Sequence, residues 1–368
     1  MTRVLVLGAG NIGSTIAAFL EGSGDYRVTL ADQNLQQMAG APADVQQLEL
    51  DVRDQPALMR ALSATDIVIS ACPYYVNVPI AEAAKDAGVH YFDLTEDRAT
   101  TRRIRAIAED ASTVFMPQCG LAPGFISIAS ADLCARFDHL RRVRMRVGAL
   151  PIFPTNRLKY NLTWSTAGLI NEYCNPCEVI HDGELREVLP LEGLEEFSLD
   201  GATYEAFNTS GGLGTLCETL ANKVDYLDYK TIRYPGHCEL VRFLCNDLRL
   251  SKRRDVFLDV LEQAVEVTTQ DVVLIFITAS GEKAGRLTQE TYTRKVYHGE
   301  VHGQHRAAIQ ISTAAGVCAV VDLMRTGALP SRGFVRQEDV ALTDFVRNRF
   351  GKHYEQHRGT HAVTAQLS

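Results

Sequence analysis

Between residues 3 and 116, short apolar runs alternate with stretches of helical periodicity. The apolar runs fall at 3–7, 26–31, 46–52, 66–71, 89–94 and 113–116. They are apolar nearly throughout, as strands covered on both faces are. Helical patterns separate them at 11–21, 56–63, 78–87 and 98–109, with a short one near Leu35. Asp54 stands where it can cap the 56–63 helix, and Gly88 where it can end the next. Six strands with interleaved helices predict an α/β fold with a doubly wound parallel sheet of the Rossmann kind.

From Phe125 the rhythm changes. Residues 141–150 alternate, with Arg142, Arg144 and Arg146 at every second position, which predicts a half-exposed antiparallel strand. A second strand is expected over 159–165, and a hairpin over 179–188 turning at Asp182-Gly183. Helices are expected over 211–221, 239–248 and 254–267, and strands over 272–279 and 288–296. A strongly apolar helix over 313–324 and a polar one over 337–350 close the pattern, with fraying expected from about 356. This reads as a Rossmann domain over 1–122 and an inserted α+β domain with an antiparallel sheet over 123–306. The inserted domain should carry substrate contacts and a dimer surface. C-terminal helices over 307–355 should return to the first domain.

Composition narrows the function classes. Of 368 residues, 46% are hydrophobic and 22% charged, ordinary for a globular protein. A net charge of -8 without a basic run argues against a nucleic-acid partner. Nine cysteines, odd in number and mostly in apolar stretches, suit free thiols in a reducing compartment. The chain enters its first strand without a signal-peptide pattern, and no apolar run approaches the roughly 18 residues of a membrane span. A cytoplasmic protein acting on a small molecule, and forming a homodimer, is the expectation.

The candidate chemistry begins at Gly8-Ala9-Gly10-Asn11-Ile12-Gly13, between the first strand and the first helix. Gly8 permits a tight turn, Gly10 lets a pyrophosphate approach the backbone, and Gly13 lets helix and strand pack closely. Asp32, about twenty residues on at the end of strand two, can accept both ribose hydroxyls of a dinucleotide. A carboxylate there would repel a 2′-phosphate, and neither Ala31 nor Gln33 offers an Arg, so NAD is expected rather than NADP. Ligands in such sheets lie beyond the carboxyl ends of the strands. Those ends carry Asp51 and Val52, then Ala71, Cys72, Pro73 and Tyr75, then Asp93, Leu94, Thr95 and Glu96, then Cys119 and Gly120.

Cys119 is either a nucleophile or a packing residue against the cofactor, and Asp93 or Glu96 either binds the substrate amine or transfers its proton, with catalytic Glu96 as the candidate, or is a solvated carboxylate. Thr209 and Ser210, before Gly211-Gly212, could hold a carboxylate or simply cap a helix. Arg233 can clamp a carboxylate with two bonds, and His237 can act as a base, unless the 230–237 stretch is a structural salt-bridge strand. Cys174 and Cys177 have metal-ligand spacing but no second pair, and His298, His302 and His305 sit in a turn-rich stretch; no metal is assigned to either.

These stretches together resemble the saccharopine dehydrogenase family, in its lysine 6-dehydrogenase-like branch. The likeness lies in 6–13, Cys72-Pro73-Tyr74-Tyr75, 90–96, 119–124, 209–212, 229–237 and 313–316. It implies a dinucleotide-binding domain with an inserted α+β domain, and hydride transfer between a nicotinamide cofactor and the C–N carbon of lysine or a lysine–oxoacid adduct. By that likeness Tyr160 and Trp164 line the substrate pocket and Arg233 holds the α-carboxylate. Glutamate-forming saccharopine reductases resemble one another in a Gly-Leu-Asp-Pro-Gly loop; here Ala122 replaces the aspartate. That departure, with Glu96 and Asp93 as amine ligands and Arg233 and Lys230 as the near-site cations, implies oxidation of the terminal amine of L-lysine, with saccharopine chemistry as the alternative. A non-catalytic NAD-binding sensor is the reading from another class.

Overall fold

The computed structural model describes residues 1–38 and 40–355; the fraying expected from about 356 lies outside the described residues. The first six strands, β1 (Thr2–Leu7), β2 (Tyr26–Asp32), β3 (Gln46–Glu49), β4 (Ile67–Ser70), β5 (His90–Asp93) and β6 (Val114–Met116), are all parallel, in the order 3-2-1-4-5-6. Parallel neighbours require crossovers. These include α1 (Asn11–Gly22), α2 (Gln55–Leu62), α3 (Asn77–Ala87) and α4 (Arg98–Ala108). Asp54 accepts the Ala57 N–H at 3.0 Å to cap α2, and Gly88 ends α3 in the left-handed region. β3 stops at Glu49, short of the expected residue 52, because it is the sheet's edge and three of its four side chains are exposed.

After α5 (Phe125–Cys134) the chain builds a second sheet. Its strands are β7 (His139–Pro151), β8 (Cys177–His181), β9 (Glu184–Val188), β10 (Glu195–Leu199), β11 (Ala202–Asn208), β12 (Val224–Arg233), β13 (Asp271–Lys283) and β14 (Arg286–Tyr297). The order is 10-11-12-7-13-14, with the β8–β9 hairpin hung on β12. The hairpin turns at Asp182-Gly183, both at positive φ. The sheet is mixed rather than antiparallel, because β12 runs parallel to β7. More than seventy residues join those two strands, ample for a crossover.

Residues 159–165 are not a strand; a single bridge, Leu162 to Val267, is all they make. Asn156 Nδ2 donates to the Tyr160 carbonyl and Asn161 Nδ2 to the Glu266 carbonyl, so side-chain amides take the place of a ladder. The passage leads into α6 (Thr166–Cys174), which Ser165 caps through the Gly168 N–H. The helix expected over 211–221 is one turn, α7 (Leu216–Thr219), preceded by glycines in the left-handed region. α8 (His237–Arg242) continues as a π-turn, and α9 (Arg254–Ala264) follows. His298, His302 and His305 sit in or beside the small hairpin of β15 (Gly299–Val301) and β16 (Gln304–Arg306).

The C-terminal segment goes back to the first sheet. α10 (Ala308–Arg325) packs on α1, and Tyr26 Oη on β2 donates to Asp322 at 2.7 Å. Contrary to the sequence expectation, α10 is long and apolar enough to cross a membrane, yet 78% of it is buried inside the protein. β17 (Gly333–Phe334) pairs with β6 as a seventh parallel strand. The expected 337–350 helix is reduced to α11 (Leu342–Arg347) between 3-10 turns.

Candidate functional site

The glycine turn has the geometry its sequence suggests. Gly8 lies at φ +93°, and a Cβ on it would meet the Ala71 carbonyl oxygen at 2.9 Å. A Cβ on Gly13 would stand 1.8 Å from the Gly8 carbonyl oxygen, so α1 can approach β1 only without a side chain there. Gly10 caps α1 with nothing within 4 Å of its would-be Cβ, and no side chain caps the helix. Asn11 is exposed at the first helical position. Asp32 accepts the Ala9 N–H at 2.8 Å and the Asn34 N–H at 2.9 Å, which locks it beside the turn. Open backbone over Gly10 and a held carboxylate at the end of β2 fit a dinucleotide. Beyond β3, Val52 is half-buried and Asp51 is ion-paired with Arg53, whose Nη2 also reaches Gln33 at 3.3 Å. A cation therefore does stand near the end of β2, brought from the neighbouring loop.

A cleft of about 850 Å³ lies between the two sheets. Ile12, Ala71, Cys72, Pro73, Leu94, Thr95 and Gly120 line it from the first sheet. Glu96, Tyr75, Trp164, Thr209, Ser210 and Arg233 line it as well. Tyr75 is 69% exposed at its edge. Ser210 reaches the wall but its hydroxyl is committed to the Asn171 carbonyl at 3.1 Å. Thr209 Oγ1 is buried with no hydrogen-bond partner among the described residues.

Strand alternation explains which cations arrive. Tyr229, Thr231 and Arg233 share one face of β12 and line the cleft. Lys230 lies on the other face, where it donates to Glu195 at 2.9 Å, and so is not a cleft cation. Arg233 cannot form the expected two-bond clamp. Its Nε donates to Tyr173 Oη at 3.0 Å, and its Nη1 donates to Thr231 Oγ1 and the Ile232 carbonyl. Only Nη2 is left, pointing at Glu172 from 3.9 Å.

Of the expected cofactor residues Gly8, Gly10, Asn11, Gly13, Asp32, Asp51 and Val52 lie outside the cleft lining; of the expected catalytic and substrate residues four lie outside it, and each has a structural duty. Asp93 is fully buried and accepts from Tyr91 Oη, Asn77 Nδ2, and the Thr95 and Gln118 N–H groups, pinning the ends of β5 and β6 together. Cys119 donates its thiol to the Met116 carbonyl, and burial pushes that thiol well above its ordinary range, which removes the thiolate a nucleophile needs. His237 bonds the Leu158 carbonyl through Nδ1 at 2.7 Å and Tyr173 Oη through Nε2 at 2.9 Å. The carbonyl can only accept, so Nδ1 carries the hydrogen and Nε2 accepts from the tyrosine. Burial, then the charge of Arg233, push its pKa down to about 3. His237 is thus a neutral anchor that holds Tyr173 under Arg233. Tyr160 is buried beneath the guanidinium, 4.9 Å from ring centre to Cζ, and accepts from Trp164 Nε1.

Five charged cleft residues escaped the sequence reading: Asp97, Arg98, Arg102, Glu172 and Glu178. Arg98 and Arg102 come from the first turns of α4, where a charged helix face looks merely solvated. Arg98 is ion-paired with Glu178 on β8 and reaches Glu187 at 3.4 Å. Glu172 comes from α6. Its available signal was the Ser165 cap followed by apolar residues at 169, 170 and 173, a helix pattern that places position 172 beside the buried face.

Fold and cleft together define a two-part, dinucleotide-binding α/β protein of the dehydrogenase type. Residues 4–116 match the family model described as the saccharopine dehydrogenase NADP binding domain, and residues 120–355 that of the saccharopine dehydrogenase C-terminal domain. The chain belongs to the saccharopine dehydrogenase family. It is 24% identical over 268 residues to an NADP(+), L-glutamate-forming saccharopine dehydrogenase of Pyricularia oryzae, covering 69% of this chain and 59% of that one. It is 22% identical over 218 residues to the mitochondrial alpha-aminoadipic semialdehyde synthase of Rattus norvegicus, covering 54% of this chain and 24% of that one. The chain thus matches about a quarter of the latter's length. The apo L-Glu-forming saccharopine dehydrogenase of Saccharomyces cerevisiae shares the fold with a TM-score of 0.78 at 18% identity, covering 94% of this chain and 97% of that one. A homospermidine synthase of Legionella pneumophila, solved with NAD, shares it at 0.70 and 13% identity, covering 96% and 89%.

Proposed function

We propose that this protein oxidises a CH–NH bond of an amino-acid-derived amine with NAD. The observation that carries the reading is the charged lining of the cleft, four carboxyls (Glu96, Asp97, Glu172, Glu178) and three arginines (Arg98, Arg102, Arg233). Carboxyls suit a cationic nitrogen, and arginines suit carboxylates. Bound dinucleotide would supply a hydride acceptor, held by the glycine turn, Asp32 and the apolar strip from Ile12 to Gly120. The chain's own residues orient the amine, bind its remote carboxylates and accept its proton. Those duties do not involve Cys119 or His237; Glu96 stays a candidate proton acceptor.

Lys230 and Asp93, the near-site cation and amine ligand on which a lysine substrate depends, do not line the cleft. Arg98 and Arg102 change the cation count. A lysine carries one carboxylate, whereas a saccharopine-type secondary amine carries three, which Arg233 and Arg102 could meet directly and Arg98 by exchanging its partner Glu178. The names of the fungal saccharopine dehydrogenases among the relatives favour the same substrate. We therefore take an N-carboxyalkyl lysine of the saccharopine type as the substrate, cleaved with water to an amino acid and an aldehyde. Terminal-amine oxidation of L-lysine is the second reading, favoured by Ala122 in the 120–124 loop. Both substrates are tested with NAD by following reduced cofactor, released glutamate and released ammonia. Saccharopine turnover giving glutamate is expected; ammonia from lysine with saccharopine inert reverses the order, and inertness of both overturns the reading.

Cofactor choice is a separate prediction. Asp32 should make NAD preferred over NADP at least tenfold in kcat/KM, about 1.4 kcal/mol. Asp32→Ser should narrow that ratio, with Arg53 available to a 2′-phosphate. Equal use of both cofactors by the unaltered protein would remove Asp32 as the discriminator.

A further inference from the structure

Glu172 differs from an ordinary salt-bridge partner. It is 8% exposed, lines the cleft, and among the described residues has one ion-pair partner, Arg233 Nη2, at 3.9 Å. Among the described residues its carboxyl accepts no hydrogen bond, and neither does that of Glu96. One loop ties the two together. The Ser210 N–H donates to the Glu172 carbonyl at 3.1 Å, and a Cβ on the adjacent Gly211 would lie 3.2 Å from Glu96 Cβ and 3.5 Å from its Oε2. The two glutamates so line one cleft against one loop. Thr209 Oγ1, on the same loop, is the buried hydroxyl without a partner. Two carboxyls without hydrogen bonds against one loop favour a state in which one of them keeps its proton.

We propose that Glu96 and Glu172 form a carboxyl pair that holds one proton when the cleft is empty, exchanges it for the substrate ammonium, and then takes the ammonium proton before hydride transfer. The proposal rests on the amine reading above. On binding, the cation replaces the shared proton, which leaves to solvent. An N–H bond of the ammonium then breaks and an O–H bond forms on one carboxylate. The electron pair stays on nitrogen, where loss of hydride from the neighbouring carbon requires it. The surrounding groups leave the pair as the local titrating unit. Arg233 on β12 favours the ionised form of Glu172. Tyr229 on β12, Tyr173 on α6 and Tyr160 in the preceding loop are phenols that burial pushes up, and Cys177 on β8 is pushed up to about 12. Arg98 and Glu178, on the α4 and β8 wall, pair with each other. Burial pushes both glutamates up, and Glu96 also feels the charge of Glu172.

The test is calorimetric binding of saccharopine and of lysine to the full chain with NADH, near pH 7, in two buffers of different ionisation enthalpy. The unaltered protein should release close to one proton on binding, and Glu172→Gln and Glu96→Gln each less than half of that. Glu172→Asp should restore most of the release. Loss of kcat/KM in either Gln variant should be about hundredfold. Infrared titration without ligand gives a second readout: the double Gln variant should lack one protonated-carboxyl signal that the unaltered protein shows. Unchanged proton release in Glu172→Gln, or an unchanged infrared titration in the double variant, overturns the pair. Loss of the infrared signal with no binding of either amine keeps the pair and overturns the substrate reading. If Glu172→Gln does not fold, Glu96→Gln carries the same comparisons.

Discussion

Gly13→Ala is expected to abolish useful dinucleotide binding, weakening it at least a hundredfold, about 2.7 kcal/mol. The added methyl would stand 1.8 Å from the Gly8 carbonyl oxygen. That oxygen belongs to the turn, and Gly8 is itself hemmed by the Ala71 carbonyl, so the backbone has nowhere to give. Relief must come from lifting α1 off β1, which moves the helix N-terminus away from the anion it should hold. Stability should fall too, by about 3 kcal/mol, the upper range for overpacking where neighbours are backbone. Gly10→Ala separates the two effects. Its Cβ enters open space and its φ is ordinary, so melting should hold while affinity drops where the pyrophosphate would approach. Titration with NADH and thermal melting of both variants decide the matter. Gly13→Ala binding within threefold of the unaltered protein would refute the assignment of this turn.

The parts of the molecule that were legible in its sequence are those where one residue type answers to one local demand. The glycines of the first turn, Asp54 before α2, Gly88 after α3 and Asp182-Gly183 in the hairpin all behaved as their chemistry requires. Continuous apolar runs marked the inner parallel strands, whose two faces are covered, whereas β3 at the exposed edge is mostly polar. Legibility failed where the deciding partner is distant in sequence. Nothing local to β12 says that its neighbour is a parallel β7, and so the sheet reads as antiparallel. Asp93 and Glu96 stand three residues apart at one strand end, yet one is bonded by four donors underneath the sheet's edge and the other opens on the cleft. Lys230 and Arg233 differ by three positions on a strand, and an odd separation puts them on opposite faces. Counting alternation back from Arg233 would have excluded Lys230 and brought in Thr231 and Tyr229. Arg98 and Arg102 gave no such signal, because an exposed arginine on a helix reads the same whether or not a second domain faces it.

Arg233→Met should lower kcat/KM near pH 7 by two to three orders of magnitude, and the loss should shrink as pH rises. Two effects combine. Removing the guanidinium takes away a charged group at the end of the cleft, worth about 1.5–3 kcal/mol for a carboxylate it meets. It also removes the cation that opposes burial at Glu172, 3.9 Å away. The sign follows directly. Burial already holds the Glu172 carboxyl above its ordinary range, Arg233 lowers it, and without Arg233 it rises further. An amine-binding carboxylate must be ionised, so the acid limb of kcat/KM moves to higher pH in the variant. Above that limb the second effect vanishes and only the first remains. Methionine fills the space without a charge, and Tyr173 keeps its bond to His237, so the fold should tolerate the change. Arg233→Lys keeps a cation while losing the bonds to Tyr173 and Thr231, and should shift the limb less than Arg233→Met does. Profiles of kcat/KM from about pH 6 to 9.5 for the three proteins provide the measurement. A loss of equal size at every pH would show that Arg233 serves the substrate carboxylate alone, without tuning Glu172. No loss at all would make it a purely structural guanidinium, anchored by Tyr173, Thr231 and the Ile232 carbonyl.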